Sequence, residues 1–235
     1  MNQHQKLKEL KLRVYQANMQ LEQRGLILYT FGNVSAIDRE LQVIAIKPSG
    51  VPYSNLSADS IVLVDFQNRV IEGNLRPSSD TKTHLCLYQA YPELGGIAHT
   101  HSTYASIWAQ AKRSIPCFGT THADHIDGEI PCTEDLSSKQ IQGDYELETG
   151  HQIVKRLKGL SPKKVEMILV ASHGPFTWGP TPEKAVFNSV ILEEICKTAL
   201  YTSLLNPKSV TIQEELLKKH FERKHGSNAY YGQPS

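Results

Sequence analysis

The sequence predicts an α/β fold in one domain, residues 1–235, built on a central, mainly antiparallel β-sheet flanked by helices. Three observations carry that expectation. The chain opens on an apolar pattern of helical period, and short β-rich stretches separated by turn residues fill the early half. Helix-length stretches with recognisable caps follow later, and no repeat, low-complexity block or linker divides the chain.

In the first helix Leu7, Leu10, Val14, Ala17 and Leu21 recur at three- to four-residue spacing, and Gly25 ends it. Strand-like segments follow at Leu26–Thr30, Val34–Ile37, Gln42–Ile46, Ile61–Asp65 and Arg69–Glu72. Lys47-Pro48-Ser49-Gly50 is turn material among them. Ser78-Ser79-Asp80 precedes a helix that runs to about Tyr91, with Pro92 as its stop. A short apolar strand then ends at His99, and Ser102 is a candidate N-cap for a helix over Thr103–Gln110. Ile130 and Val165–Ala171 read as further strands, with a helix near Thr149–Lys158 between them. Thr181-Pro182-Glu183 starts a helix that continues to about Leu205. A last amphipathic helix, Thr211–His225, ends at Gly226 and leaves a tail containing Tyr230-Tyr231.

Composition narrows the partners. Lys and Arg number 25 and Asp and Glu 24, a formal net charge of +1, so no general attraction to nucleic acid or to an anionic membrane is expected. No apolar run approaches the roughly 18 residues that a membrane span needs. The polar N-terminus lacks the apolar core of a secretory signal. Cys86, Cys117, Cys132 and Cys196 contain no CxxC pair, which fits isolated thiols in a reducing, cytoplasmic setting.

The strongest chemical signal is His99-Thr100-His101. Residues i and i+2 of a strand face the same side, so two imidazoles can serve one metal ion. His173 ends another apolar run, and three histidines with one open position is the pattern of catalytic zinc. Neutral imidazole suits Zn²⁺ well. Asp80 is either a fourth ligand, an acceptor behind the ligands, or a helix cap.

Other candidates are more diffuse. Lys47, Ser49 and Gly50 offer an ammonium, a hydroxyl and close backbone approach to a phosphate. Ser78 and Ser79 add hydroxyls and N–H groups at a helix start. Gly32-Asn33 is a third contact or a plain turn. Gly119-Thr120-Thr121-His122-Ala123-Asp124-His125 concentrates polar groups without apolar period, and Asp124 in it is a candidate acid/base. Tyr231 is another proton carrier or an aromatic anchor for the chain end.

Taken in order, these motifs resemble a known family. Ile46-Lys47-Pro48-Ser49-Gly50, Pro77-Ser78-Ser79-Asp80-Thr81, His99-Thr100-His101-Ser102, Gly119 to Asp124, Ser172-His173-Gly174-Pro175 and Ala229-Tyr230-Tyr231-Gly232-Gln233 are similar to the L-ribulose-5-phosphate 4-epimerases. Those enzymes belong to the class II aldolase/adducin superfamily. The resemblance runs from about Leu7 to Gln233. It implies a three-layer α/β/α domain, Zn²⁺ on His99, His101 and His173 with Asp80 at the metal site, and acid/base roles for Asp124 and Tyr231. It also implies a sugar phosphate substrate touching Gly32, Asn33, Lys47, Ser49, Gly50, Ser78, Ser79 and Thr120. A homotetramer is implied as well, with active sites at subunit interfaces and with Tyr231 and His220 reaching a neighbour's site. Phe31, His125 and the final Pro234-Ser235 depart mildly from the family pattern. The alternative within the superfamily is a class II sugar-phosphate aldolase resembling an L-fuculose-phosphate lyase, which would use the same metal ligands. A non-catalytic adducin-like scaffold would not need those ligands. A zinc hydrolase of the His-Glu-x-x-His kind lacks its motif here.

Overall fold

A computed structural model describes residues 2–226, 229 and 230. The chain opens with helix α1 (Gln3–Gln23), whose N-cap Asn2 accepts a hydrogen bond from the Gln5 amide. Strands β1 (Asn33–Asp38), β2 (Val43–Ile46), β3 (Val62–Val64) and β4 (Val70–Glu72) follow. Helix α2 (Thr81–Ala90), strand β5 (Gly96–His99) and helix α3 (Thr103–Gln110) come next. Two short helices, α4 (Thr120–Ala123) and α5 (Ser138–Gln142), precede α6 (Tyr145–Arg156). The chain continues with β6 (Met167–Val170), β7 (Gly174–Gly179), α7 (Pro182–Leu205) and α8 (Glu214–His225).

The described strands form one sheet in the order β4-β3-β2-β1-β5-β7-β6. Every neighbouring pair is antiparallel, so the expected antiparallel early half extends across the whole sheet. Alternation along each strand sorts the two faces. Ile97 and Phe176 face a core shared with Leu85, Tyr88 and Ile153 of α2 and α6. Val34, Ala36, Ala45 and Ala98 face the other side, where α1 and α7 pack. Met167 and Leu169 meet Trp108 of α3 and Leu192 of α7 on that same side. The fold is therefore the three-layer α/β/α arrangement with helices on both faces.

Several local expectations shift. Leu26–Thr30 forms no strand, because Leu26 and Phe31 bond locally to Leu21 and Leu28 and Tyr29 turns at a positive φ of 54°. Ile130 makes only an isolated bridge to Ile115. Strand β7 is absent from the sequence reading because Gly174, Pro175 and Gly179 look like turn residues. Helix α6 begins four residues early, at Tyr145 rather than Thr149. Ser102 sits at the N-cap of α3 but its hydroxyl accepts no helix amide. Glu193 of α7 takes that role from a distance, accepting from the Tyr104 and Ala105 amides at 2.8 and 2.9 Å. Thr181 does cap α7, accepting from the Lys184 amide with Pro182 at the first turn.

The seam between α2 and α6 is unusually close. A Cβ built at Gly150 would lie 2.6 Å from Cys86 Cβ and 2.9 Å from its Sγ. Replacing a helix-interior glycine by alanine ordinarily gains about 1 kcal/mol of helix propensity. Overpacking costs about 1–3 kcal/mol, so the collision sets the sign here. Gly150→Ala is expected to lower the melting temperature. Adding Cys86→Gly to it should recover part of the loss relative to Gly150→Ala alone, as thermal unfolding of the variants would show.

Candidate functional site

Strand β5 is flanked by β1 and β7, and its last residue places the first imidazole. His99 pairs in register with Asn33 of β1 and with Phe176 of β7, and is 1% exposed. Its ring stacks on Phe176 at 4.2 Å. Nδ1 of His99 donates to the Pro175 carbonyl at 2.8 Å, which fixes the tautomer because a carbonyl only accepts. In the neutral ring Nε2 is then the nitrogen that can act as a ligand. His101 lies just beyond the strand, yet its Nε2 comes within 3.2 Å of that atom. Ligand atoms of His99, His101 and His173 all lie within 4.8 Å of one another.

This donor set fits a metal ion. Two nitrogens on a tetrahedral zinc at ~2.0–2.1 Å stand about 3.3 Å apart, close to the His99–His101 separation. Burial, then the neighbouring His99, pushes His173 down to about 3 and holds His101 below its ordinary value. Those two rings are therefore neutral at pH 7, the form that ligates. His173 Nδ1 meets the Tyr145 hydroxyl at 3.3 Å, leaving Nε2 for the centre.

Asp80 occupies the N-cap position of α2 but makes no capping bond with its side chain. Its Oδ2 instead accepts from Asn33 Nδ2 at 2.7 Å and stands 4.0 Å from His99 Nε2. Burial alone would raise this carboxyl, but His99, His84, the Asn33 hydrogen bond and His173 together outweigh it and the net direction is down. Of the three roles read for Asp80, the side-chain cap is not made; the carboxylate turns instead toward Asn33 and His99.

A cavity of about 350 Å³ opens beside these groups, and His101, His173 and Asp80 line it. Gly32, Asn33, Ser49, Gly50, Ser78 and Ser79 line it too. The two serine loops are joined backbone to backbone: Ser49 N donates to Arg76 O at 2.9 Å and Ser78 N to Lys47 O at 3.0 Å. Gly32 has φ +84°, and a Cβ there would lie 2.9 Å from the His99 carbonyl, so its loop rests directly on β5. Lys47 lines the cavity but is engaged already. Its Nζ donates to the carbonyls of Val51, Pro48 and Thr30 at 2.9, 3.3 and 3.4 Å and lies 4.8 Å from the Tyr53 ring centre. Burial lowers it to about 8.

Thr120, Asp124 and His220 are not brought to this cavity. Thr120 lines a separate groove beside Thr198 and Thr202 of α7. Asp124 closes α4 and holds α8 in place. It accepts from His220 Nδ1 at 2.9 Å and from Arg223 Nε and Nη2 at 3.0 and 2.7 Å, with Lys224 Nζ at 3.6 Å. Burial would raise the Asp124 carboxyl, but Arg223, His220 and Lys224 together lower it. Tyr231 lies outside the described residues. Sequence reasoning missed Tyr145 and Glu193, whose roles arise from contacts across the fold.

Asp124→Asn should loosen α8, since charge-assisted hydrogen bonds contribute about 1.5–3 kcal/mol. Amide exchange within α8 is expected to accelerate while the β-sheet stays protected. In the wild type the same docking follows the depressed carboxyl. It is complete above the unfolded value of about 3.9 and is lost as pH falls through the lower folded value. Unchanged exchange in the variant would contradict this.

Residues 12–200 match the family described as Class II Aldolase and Adducin N-terminal domain. The chain is 52% identical over 227 residues to L-ribulose-5-phosphate 4-epimerase UlaF of Salmonella paratyphi C (strain RKS4594), covering 97% of this chain and 100% of that protein. The same figures hold for the protein of that name from Salmonella choleraesuis (strain SC-B67). Among solved structures, an L-fuculose 1-phosphate aldolase aligns with TM-score 0.77 at 24% identity, covering 92% of this chain and 95% of that one. The L-fuculose 1-phosphate aldolase from Glaciozyma antarctica PI12 aligns with TM-score 0.78 at 20% identity, covering 95% and 84%. Those two likenesses are of fold. With the family match spanning most of its length, this chain belongs to the class II aldolase and adducin family.

Proposed function

We propose that this chain is an L-ribulose-5-phosphate 4-epimerase that interconverts L-ribulose 5-phosphate and D-xylulose 5-phosphate with Zn²⁺ on His99, His101 and His173. One observation carries most weight: full-length relatives at 52% identity bear that name, and this chain has the converging imidazoles such chemistry needs. Asp80 stands beside the ligands as a further metal-site residue. All four cysteines are free and buried, which supports a reducing, cytoplasmic setting. Among the described residues, no helix is long and apolar enough to cross a membrane.

The substrate's chemistry explains the residue set. Its ketone is at C2, so the C4 hydrogen is not acidic and direct proton exchange at C4 is unattractive. Removing the C4 hydroxyl proton and breaking C3–C4 yields glycolaldehyde phosphate and the enolate of dihydroxyacetone. Rotation of the aldehyde and re-formation of the bond, with the proton returned to the new C4 oxygen, inverts C4. When bound, zinc supplies Lewis-acid stabilisation for the negative charge that develops on the ketose oxygens. Ser49, Gly50, Ser78 and Ser79 hold the phosphate end, so the aldehyde stays long enough to turn. Gly32 and Asn33 shape the wall beside them. Lys47 adds positive charge from inside its carbonyl cage and braces the Ser49 loop through the Pro48 and Val51 carbonyls.

Asp124 and Tyr231 serve as the proton carriers, with Thr120 and His220 beside the substrate, all contributed by a neighbouring subunit of a homotetramer. The separation of Asp124 and His220 from the cavity of their own chain supports this reading. The rival is a class II aldolase that releases its fragments, in keeping with the fold of the fuculose phosphate enzymes.

Incubation with L-ribulose 5-phosphate tests the proposal. D-xylulose 5-phosphate is the expected product, whereas accumulating dihydroxyacetone and glycolaldehyde phosphate would identify an aldolase. His101→Asn should lose bound zinc and turnover together, because each histidine is one of few bonds to the ion. Normal zinc and a normal rate in that variant would overturn the metal assignment.

A second expectation concerns assembly. Subunits carrying His101→Asn and subunits carrying Asp124→Asn, each poorly active alone, should regain activity when co-assembled. In such hybrids some sites pair an intact metal half with an intact acid/base half. Acid/base groups typically contribute ~10²–10⁴-fold, so recovered sites stand out above either parent. No recovery in verified hybrids would place both halves in one chain.

A further inference from the structure

The hydroxyl of Tyr145 is the hydrogen-bond partner of His173 Nδ1, and Tyr145 takes no part in the proposed retro-aldol sequence. Tyr145 is the first residue of α6, lines the cavity with His101 and His173, and sets its hydroxyl 3.3 Å from His173 Nδ1. Its position is fixed from several sides. Asp144, the N-cap residue, is bridged to Lys82 of α2 at 2.6 Å. Thr83 of α2 donates its hydroxyl proton to the Glu146 carbonyl at 2.6 Å. One turn further on, Gly150 lets α6 lie against Cys86.

The direction of the Tyr145–His173 bond follows from the donor inventory. A histidine that holds a metal through Nε2 carries its proton on Nδ1, and that nitrogen can then only donate. The phenol oxygen of Tyr145 must accept. A phenol has one proton, and with its oxygen accepting from His173 that proton remains to be given to another acceptor, at a ring that lines the cavity. His99 follows the same rule through the Pro175 carbonyl, but a carbonyl has no proton to pass on. Between His99 and His173, only His173 is held by a group that can also donate.

We propose that Tyr145 positions His173 by accepting its Nδ1 proton and donates its own hydroxyl proton to a substrate oxygen beside the metal. The donation rests on the epimerase reading; the positioning does not. The acceptor on the substrate side is an oxygen of the reacting ketose end, since the phosphate loops lie at Ser49 and Ser78.

Tyr145→Phe keeps the ring and removes both bonds. Competition with a chromophoric chelator should show zinc bound about 10–100-fold more weakly, the usual effect of removing a ligand's supporting partner. At saturating zinc, kcat/KM for L-ribulose 5-phosphate should still fall roughly tenfold, the scale of one lost hydrogen bond in a site. Unchanged zinc affinity would overturn the positioning role. Weakened zinc with wild-type kinetics at saturating zinc would overturn the donation. In the wild-type zinc protein, nitrogen-15 spectra should show His173 protonated at Nδ1, and a proton on Nε2 instead would overturn the whole scheme whether or not the variant folds. Should wild-type protein bind zinc but fail to epimerise, the functional reading falls while the zinc constant still decides the positioning role.

Discussion

The register of three antiparallel strands, β1, β5 and β7, is the constraint on which the site depends. It sets Asn33 and Phe176 on either side of His99 and delivers the Pro175 carbonyl to its Nδ1. A one-residue slip of β5 would turn His99 to the opposite face, against α1 and α7. The imidazole would then lose its stacking partner, its fixed tautomer and its approach to Asp80 together. The convergence of the imidazoles is thus a property of strand pairing before it is a property of histidines.

Around that centre the chain arranges two kinds of support. Loops 47–50 and 76–79 are braced against each other by backbone bonds, and Lys47 satisfies carbonyls beneath them. Ser49, Ser78 and Ser79 line the cavity beside that brace. Helices α2 and α6 pack together, and the first residue of α6, Tyr145, meets His173. The polar lining of the cavity is gathered from turns and a helix start.

Much of this was legible in the sequence because the signals are local. His99-Thr100-His101 needs only the two-residue period of a strand, and the two imidazoles converge even though the strand stops at His99. The cap at Thr181 and the serines before α2 are likewise read within four residues. What escaped was non-local or disguised. Strand β7 hides behind its glycines and proline, because its extended form comes from pairing on both sides rather than from propensity. Glu193 caps a helix almost ninety positions away, and Tyr145 matters only once α6 is packed on α2. Asp124 was visible as a polar residue in a polar segment, but nothing in that segment says it grips α8 and not the cavity of its own chain.

The Glu193 contact has a mechanical consequence. Helix α7 is 24 residues long, about 36 Å at 1.5 Å per residue. Its first turn lies so near β5 that a Cβ at Gly96 would fall 2.3 Å from Pro182 N. Near its middle, Glu193 grips the opening amides of α3. One rigid rod is thus clamped both to the start of β5 and to the start of α3, and the segment between those clamps is the one that carries His99 and His101. Thermal jostling of the connecting loop is referred to a stiff beam rather than to its own soft torsions, so the spacing of the two imidazoles has the tolerance of a helix and not of a loop.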